Sequence, residues 1–360
     1  GDWRHVDALR RLCRECHFAA LPRARYRIRA AGALLRNQAI TVAALRDPAL
    51  AEWIADLLRR RPIDCVFAYS SGMAQFHAAV PQAVPRMVDF VDADSEKWRQ
   101  LASGRPWPWS WLCRRESARL RAFDHDAVGR CDRCLFVSSA EARSFQELVP
   151  AATPKTLVIP NGVDSGYFAP EAPHPSPFAP GGPVLALTGD MSYWLNEDAV
   201  LWFARAVLPR LRASRPDLRF AVVGRAPGRR LRRAAARLGM DLIGAVPDVR
   251  PFLAHAALVV APLRIARGVP NKVLEAMAMA KAVVATPAAV AGLRLRPGQD
   301  ILIAEAPAAF AEAAISLLDP HRAAALGARA RARVVADYAW ESSFRRLDRL
   351  IALPSRRAEV

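Results

Sequence analysis

Between residues 183 and 304 six short apolar runs, PVLALTG, RFAVVG, DLIG, ALVVAPL, AVVAT and ILIA, are bounded by turns and separated by segments of helical period. That alternation leaves few folds open. Strands buried on both faces and joined by crossover helices form a parallel sheet with helices packed against it. The first half repeats the rhythm with IDCVFAYS (63–70), RMVDFVD (86–92) and CLFVSS (134–139), and helices are expected over 48–60 and 111–129. Seven prolines and four glycines fall between Pro160 and Pro183, a density that neither helix nor sheet tolerates. The reading is an N-terminal α/β domain over 1–160, a proline-rich linker over 161–183 and a second α/β domain over 184–336. A helical tail over 337–360 is long enough to return to the first domain. Two such domains facing each other hold a ligand cleft between them, at the carboxyl ends of their strands.

At 360 residues each half is large enough to bury its own core. No apolar run approaches the ~20 residues of a membrane-spanning helix. The net charge of +18 comes from arginine, since only Lys97, Lys155, Lys272 and Lys281 are lysines. The arginines are scattered, and no helix-turn-helix, RNP or zinc-finger pattern accompanies them, so nucleic acid is not an expected partner. An anionic membrane surface is a better use of the charge, with a cytoplasmic location and peripheral contact at the membrane's inner face. Cys13/Cys16 and Cys131/Cys134 have zinc-like spacing, but no histidine cluster supports them and Cys134 opens an apolar strand, so packed thiols and no metal are expected. Trp98, Trp107, Trp109 and Trp111 surround RPWPWSW; packing at a helix corner is the favoured reading and a membrane-interface anchor the alternative. The chain starts at Gly1 directly in a helical pattern, without the strand that ordinarily opens such a domain. An N-terminally truncated domain, of reduced stability or activity, is therefore expected.

GxGxxG, GxxxxGK[ST] and GxSxG are all absent, which leaves little support for dinucleotide oxidoreductases, P-loop NTPases and α/β-hydrolases. The informative stretch is APLRIARGVPNKVLEAMAMAKAVVAT (261–286). Pro270 is pre-set for the start of a helix near Asn271, whose free amides and dipole make an anion site; Gly268 allows close backbone approach. Asn271, Lys272 and Glu275 share one face, and Leu274, Met277 and Ala278 the buried one. A carboxylate one turn behind a phosphate site suits paired hydroxyls such as those of a ribose. The competing reading, an exposed Lys272–Glu275 ion pair, is left equally open by spacing alone.

NKVLEAMAMAKAVVAT, together with VIPNGVDSGYF (158–168), LFVSSAEARSF (135–145), VVGR (222–225) and IGAVPDVRPFLAHAALVVAPL (243–263), resembles the signatures of retaining GT-B glycosyltransferases of the family 4 type. VDFVDADSEKWRQLA (88–102) with APLRIARGVPNKVLEAMAM (261–279) is most similar to the sugar transferases of exosortase/PEP-CTERM exopolysaccharide systems. The resemblance spans nearly the whole chain. It implies two facing Rossmann-like domains and transfer of a sugar from a nucleotide diphosphate donor to a glycan or lipid-linked acceptor, with no metal and no cofactor beyond the donor. It places Glu275 on the donor ribose, Gly268 to Lys272 on the diphosphate, and Gly189, Gly224, Arg225 and Val246 around the nucleotide.

Several positions depart from the family pattern. Arg267 stands where many relatives carry a glutamate. TGDMSYWLNEDA offers Asp190 and Leu195 or Asn196 in place of a basic pair, so Arg267 with Arg264 or Lys272 is expected to supply the charge on the diphosphate. Asp92 sits about where a histidine is often found near the donor sugar; read structurally, Asp92-Ala93-Asp94 is a helix start capped by Asp94 or Ser95. Arg267, Glu275 and Asp92 are thus the catalytic candidates. Ala280, often glycine in relatives, is expected to be a strained left-handed helix end. A nucleotide-sugar epimerase and a non-catalytic GT-B scaffold are the alternative readings.

Overall fold

The computed structural model describes residues 6–265 and 269–352. The chain divides after Val158 into two compact units, the second running Ile159–Leu350. The first unit carries a four-stranded parallel sheet, β1 (Val66–Tyr69), β2 (Arg86–Val91), β3 (Arg133–Phe136) and β4 (Thr156–Val158), in that order. β4 was not expected, because TLV is short and runs straight into IPNGVD. Its core stacks Phe90, Phe136 and Phe145, with ring centroids 4.6–5.6 Å apart. Cys131 and Cys134 are buried in the same cluster, their sulfurs 3.4 Å apart, as packed thiols should be, whereas Cys13 is exposed and Cys16 half-buried, so the packing expected of that pair does not hold. Among the described residues no group of metal-ligating side chains comes together.

The second unit has six parallel strands, β5 (Val184–Thr188), β6 (Arg219–Val223), β7 (Asp241–Gly244), β8 (Leu258–Ala261), β9 (Val283–Ala285) and β10 (Leu302–Ile303). Their order is β10-β9-β8-β5-β6-β7, so the sheet grows one way from β5 through β6 and the other through β8. That reversal opens a crevice at the carboxyl ends of β5 and its neighbours, the place where open α/β sheets bind ligands. The helix expected over 196–214 is three pieces: a helix Trp194–Trp202, a π turn Phe203–Val207 and a helix Leu208–Ser214. Pro209 has no N–H to give the preceding turn, which accounts for the wider turn before it.

The proline-rich stretch packs on the second unit. Arg250 lies over the Tyr167 ring at 3.7 Å and donates to the Tyr167 carbonyl, and Arg219 donates to the Ala179 carbonyl. At its start Val163 exchanges backbone hydrogen bonds with Tyr338 and Trp340, and a Cβ on Gly162 would come within 2.7 Å of the Trp340 side chain. The glycine of IPNGVD is there to admit that indole. Helices Pro320–Asp337 and Trp340–Ala352 follow, as the wholly helical pattern requires. Ala280 has the left-handed φ of +54°, and Gly327 packs against it so closely that a Cβ would lie 1.9 Å from the Ala280 oxygen.

Two expectations in the first unit need correcting. The helix Asp94–Ser103 is not capped by Asp94 or Ser95: Ala93 is its N-cap and makes no side-chain cap. Glu141, at the start of the helix Ser139–Leu148, accepts the Ala93 amide at 3.0 Å instead. The favoured packing of the tryptophans holds only for Trp98, which lies against a small core of Ala39, Val42 and Leu120. Trp107, Trp109 and Trp111 are 80%, 57% and 52% exposed.

Candidate functional site: an anion pocket at the carboxyl edge of the second sheet

A cavity of about 540 Å³ lies at the switch point, walled by Thr188 and Gly189 after β5, Val223 to Arg225 after β6, and Ala245, Val246 and Val249 after β7. Asn271, Lys272 and Glu275 of the helix Asn271–Ala278 close it. The sequence builds this wall with glycine where backbone must meet backbone. Gly189 adopts φ +154°, and a Cβ there would sit 3.0 Å from the Lys272 ammonium. A Cβ on Gly224 would fall 1.6 Å from the Gly189 carbonyl oxygen, so β5 and β6 can end this close only without a side chain. Gly244 takes φ +86° and accepts the Gly224 amide at 2.8 Å, turning the chain into the Ala245–Val246 wall.

Lys272 donates to Asn196 Oδ1, and Asn196 donates in turn to the Asp190 carbonyl at 2.8 Å. Asp190 accepts from the Ser192 amide and hydroxyl and from Arg225 Nε at 2.7 Å. These contacts, the Ser192 hydroxyl first, hold its carboxyl below the usual range. Burial lowers Lys272 to about 8, opposed by Glu275; burial raises Glu275, opposed by Lys272. Both shifts mean that each charge has been taken out of water without full repayment. An anion at the helix start would restore what the ammonium lost, and ligand hydroxyls would do the same for the carboxylate.

The cavity therefore gathers Gly189, Gly224, Arg225, Val246, Asn271, Lys272 and Glu275 from the expected residues. It does not gather Arg264. That guanidinium forks onto both oxygens of Asp198 at 2.7–3.1 Å, on the helix Trp194–Trp202, and is absent from the cavity wall. Arg267 and Gly268 lie outside the described residues. Asp92 belongs to the first unit, directly after Val91, a β-branched residue at φ +65° whose amide is held by Asp89 Oδ1 at 2.9 Å. Asn196 and Asp190 were visible in the sequence only as departures from a pattern. Their joint role with Lys272, 76 residues from Asn196, is a tertiary fact.

Residues 182–320, which include every wall residue of this cavity, match the family model described as glycosyl transferases group 1. The second unit is a group 1 glycosyltransferase domain. The chain as a whole has the GT-B fold of two Rossmann-like domains. A glycosyltransferase from Rickettsia africae aligns at TM-score 0.61 with 15% identity, over 85% of this chain and 82% of that one. Anabaena HepE, solved in complex with UDP, aligns at TM-score 0.64 with 15% identity over 84% and 82%. At these identities the likeness concerns the fold alone. In sequence the chain is 27% identical over 330 residues to a GDP-mannose-dependent monoacylated alpha-(1-6)-phosphatidylinositol monomannoside mannosyltransferase of Corynebacterium glutamicum, covering 85% of this chain and 81% of the relative. A D-inositol 3-phosphate glycosyltransferase of Actinosynnema mirum is 31% identical over 134 residues, 36% of this chain and 32% of its own length.

Proposed function

We propose that the protein transfers a sugar, with retention and without a metal ion, from a nucleotide diphosphate donor to a glycan or lipid-linked acceptor in exopolysaccharide assembly at the cytoplasmic face of the membrane. The observation that carries the reading is the convergence of Lys272, a helix N-terminus and Glu275 in one glycine-lined cavity at the switch point of a parallel sheet. Lys272 and the amides after Pro270 take the diphosphate, Glu275 accepts from the ribose hydroxyls, and the Ala245–Val246 wall receives the base. As the bond from the sugar's anomeric carbon to the diphosphate oxygen breaks, charge grows on that oxygen, and the ammonium and helix end stabilise it. The acceptor hydroxyl oxygen bonds to the anomeric carbon and its proton leaves on the departing phosphate. Lys272 supplies the cation that family members carry after the first strand of this domain. Arg267 is assigned to the same diphosphate, and Asp92 to turnover rather than to donor binding.

The corynebacterial relative makes GDP-mannose the first donor to try. Calorimetric titration with GDP, UDP and ADP, followed by release of nucleotide from their sugars with and without a glycan acceptor, tests the reading. Binding of one nucleotide diphosphate and acceptor-stimulated release are expected. No binding of any of the three would end the proposal. Binding with an epimerised donor and no transfer would replace it by the epimerase reading.

A further inference from the structure

We propose that one face of the first unit docks on the surface of an anionic phospholipid bilayer, through Trp107, Trp109 and Trp111 and through Leu34 and Leu35. Residues 103 to 109 are exposed without a break. Leu34 and Leu35, at the end of the helix Arg23–Leu35, are 40% and 90% exposed. Five large apolar side chains left open on neighbouring elements are the kind of feature that marks an interaction surface.

The two sets are held on one scaffold. Arg115, on the helix Trp109–Arg130, donates to the carbonyls of Ala33 and Gln38, both at 3.1 Å. Its neighbour Glu116 accepts the amides of Ile40 and Thr41 at 2.8 Å. Trp111 stands four residues before Arg115, one turn along the same helix face. The leucine end of the first helix is thus pinned beside the turn that presents the tryptophans.

The charge around them selects the partner. No acid occurs between Glu15 and Asp47, where six arginines do, nor between Glu96 and Glu116, where Lys97, Arg99, Arg105, Arg114 and Arg115 do. Lys97 and Arg99 pair with Asp94 and Glu96, and Arg115 is spent on the carbonyls, which leaves Arg105, Arg114 and the exposed Arg23, Arg25, Arg27 and Arg36 on the same two stretches of chain. Exposed aromatic rings on such an acid-free, basic surface fit a bilayer carrying negative lipid better than a neutral one. No helix among the described residues is long and apolar enough to cross a membrane, so the contact is one of a surface. It is independent of what the second unit binds.

Sedimentation of the full chain with vesicles of phosphatidylcholine, alone or mixed with phosphatidylglycerol, tests this. Binding to the mixed vesicles, weaker to the neutral ones and weakened by salt, is expected, with tryptophan emission quenched by brominated acyl chains. W107S/W109S/W111S should lower binding at least about tenfold and remove most of the quenching. L34S/L35S should lower it less, and R229A/R233A, which strips charge from the second unit, should leave it unchanged. Should the triple variant misfold, quenching of the wild-type protein and the leucine variant still decide. Unquenched emission, equal loss in R229A/R233A, or concentration-dependent self-association without vesicle binding would each overturn the proposal, the last by making this face a contact between copies of the chain.

Discussion

The two units end their parallel strands in opposite chemistry. In the second, β5, β6 and β7 run out into Gly189, Gly224 and Gly244, and the space they leave is filled by a lysine and a helix start. In the first, β1 and β2 run out into Ser70 at φ +74° and Val91 at φ +65°, with carboxylates close behind: Asp89, Asp94 and Asp124 are all pushed up by burial, Asp124 to about 7. One edge sets a cation and a helix start beside the crevice; the other sets carboxyls that burial holds towards their neutral form. A parallel sheet supplies only the crevice; the residues just past each strand decide the sign of what enters.

The sharpest way to break the contrast is to spoil the glycine wall. Gly224→Ala forces a methyl into the Gly189 carbonyl, so the ends of β5 and β6 must part. A stability loss of about 2–4 kcal/mol and complete loss of nucleotide binding are expected, read by urea unfolding and calorimetry. Next comes the cation. Lys272→Ala should weaken nucleotide diphosphate binding on the order of 10–100-fold, whereas Arg264→Ala, which only releases Asp198, should change it less than about threefold. Equal effects would return the charge to the loop arginines. Glu275→Gln should cost roughly tenfold with the ribonucleotide donor and almost nothing with its deoxyribose analogue, since a neutral amide accepts less strongly from hydroxyls.

The remaining two predictions use pH to separate the units. Lys272 has its folded pKa at about 8, below the ordinary 10.5, so its cation is present below that pH and lost above it. Nucleotide affinity should fall as pH rises through 8, and Lys272→Met should flatten the slope. Without ligand the same group acts the other way: it costs stability below pH 8, and that cost fades between pH 8 and 10.5. Asp124 has its pKa raised from 3.8 to about 7, so the stability it gives up grows as pH climbs between those values and is fully lost above 7. Asp124→Asn keeps an acceptor for the Ser71 hydroxyl and should raise the melting temperature by a few degrees at pH 8 but little at pH 5. An equal gain at both pH values would show that its charge does not matter.

Much of this was legible in the residues. All six strands of the second unit were readable from their apolar runs: β5, β6, β8 and β9, buried almost throughout, leave an unbroken hydrophobic signature, and the half-exposed β7 and β10 show as short apolar runs between turns. The Asn271 helix start was readable from Pro270, and the left-handed Ala280 from its place at the helix end. β4 was not, since three residues carry no period. The missing basic pair appeared in sequence as a loss. In the fold Lys272 reaches the loop after β5 and bonds to Asn196, one of the residues that stand where that pair would be. Arg264 reads as a phosphate ligand because it is basic and close in sequence to the helix; in the fold its partner is Asp198, a neighbour only in space. The tryptophans of RPWPWSW were equally ambiguous until their exposure was known.

The sequence by itself determined where most strands, helices and turns lie and where the helix after Pro270 begins, for those follow from local period, proline and glycine. Tertiary structure alone decided which charges meet. A side chain's partner is set by residues that sheet order brings within a few ångströms, and order across a parallel sheet is not written in any one stretch of chain.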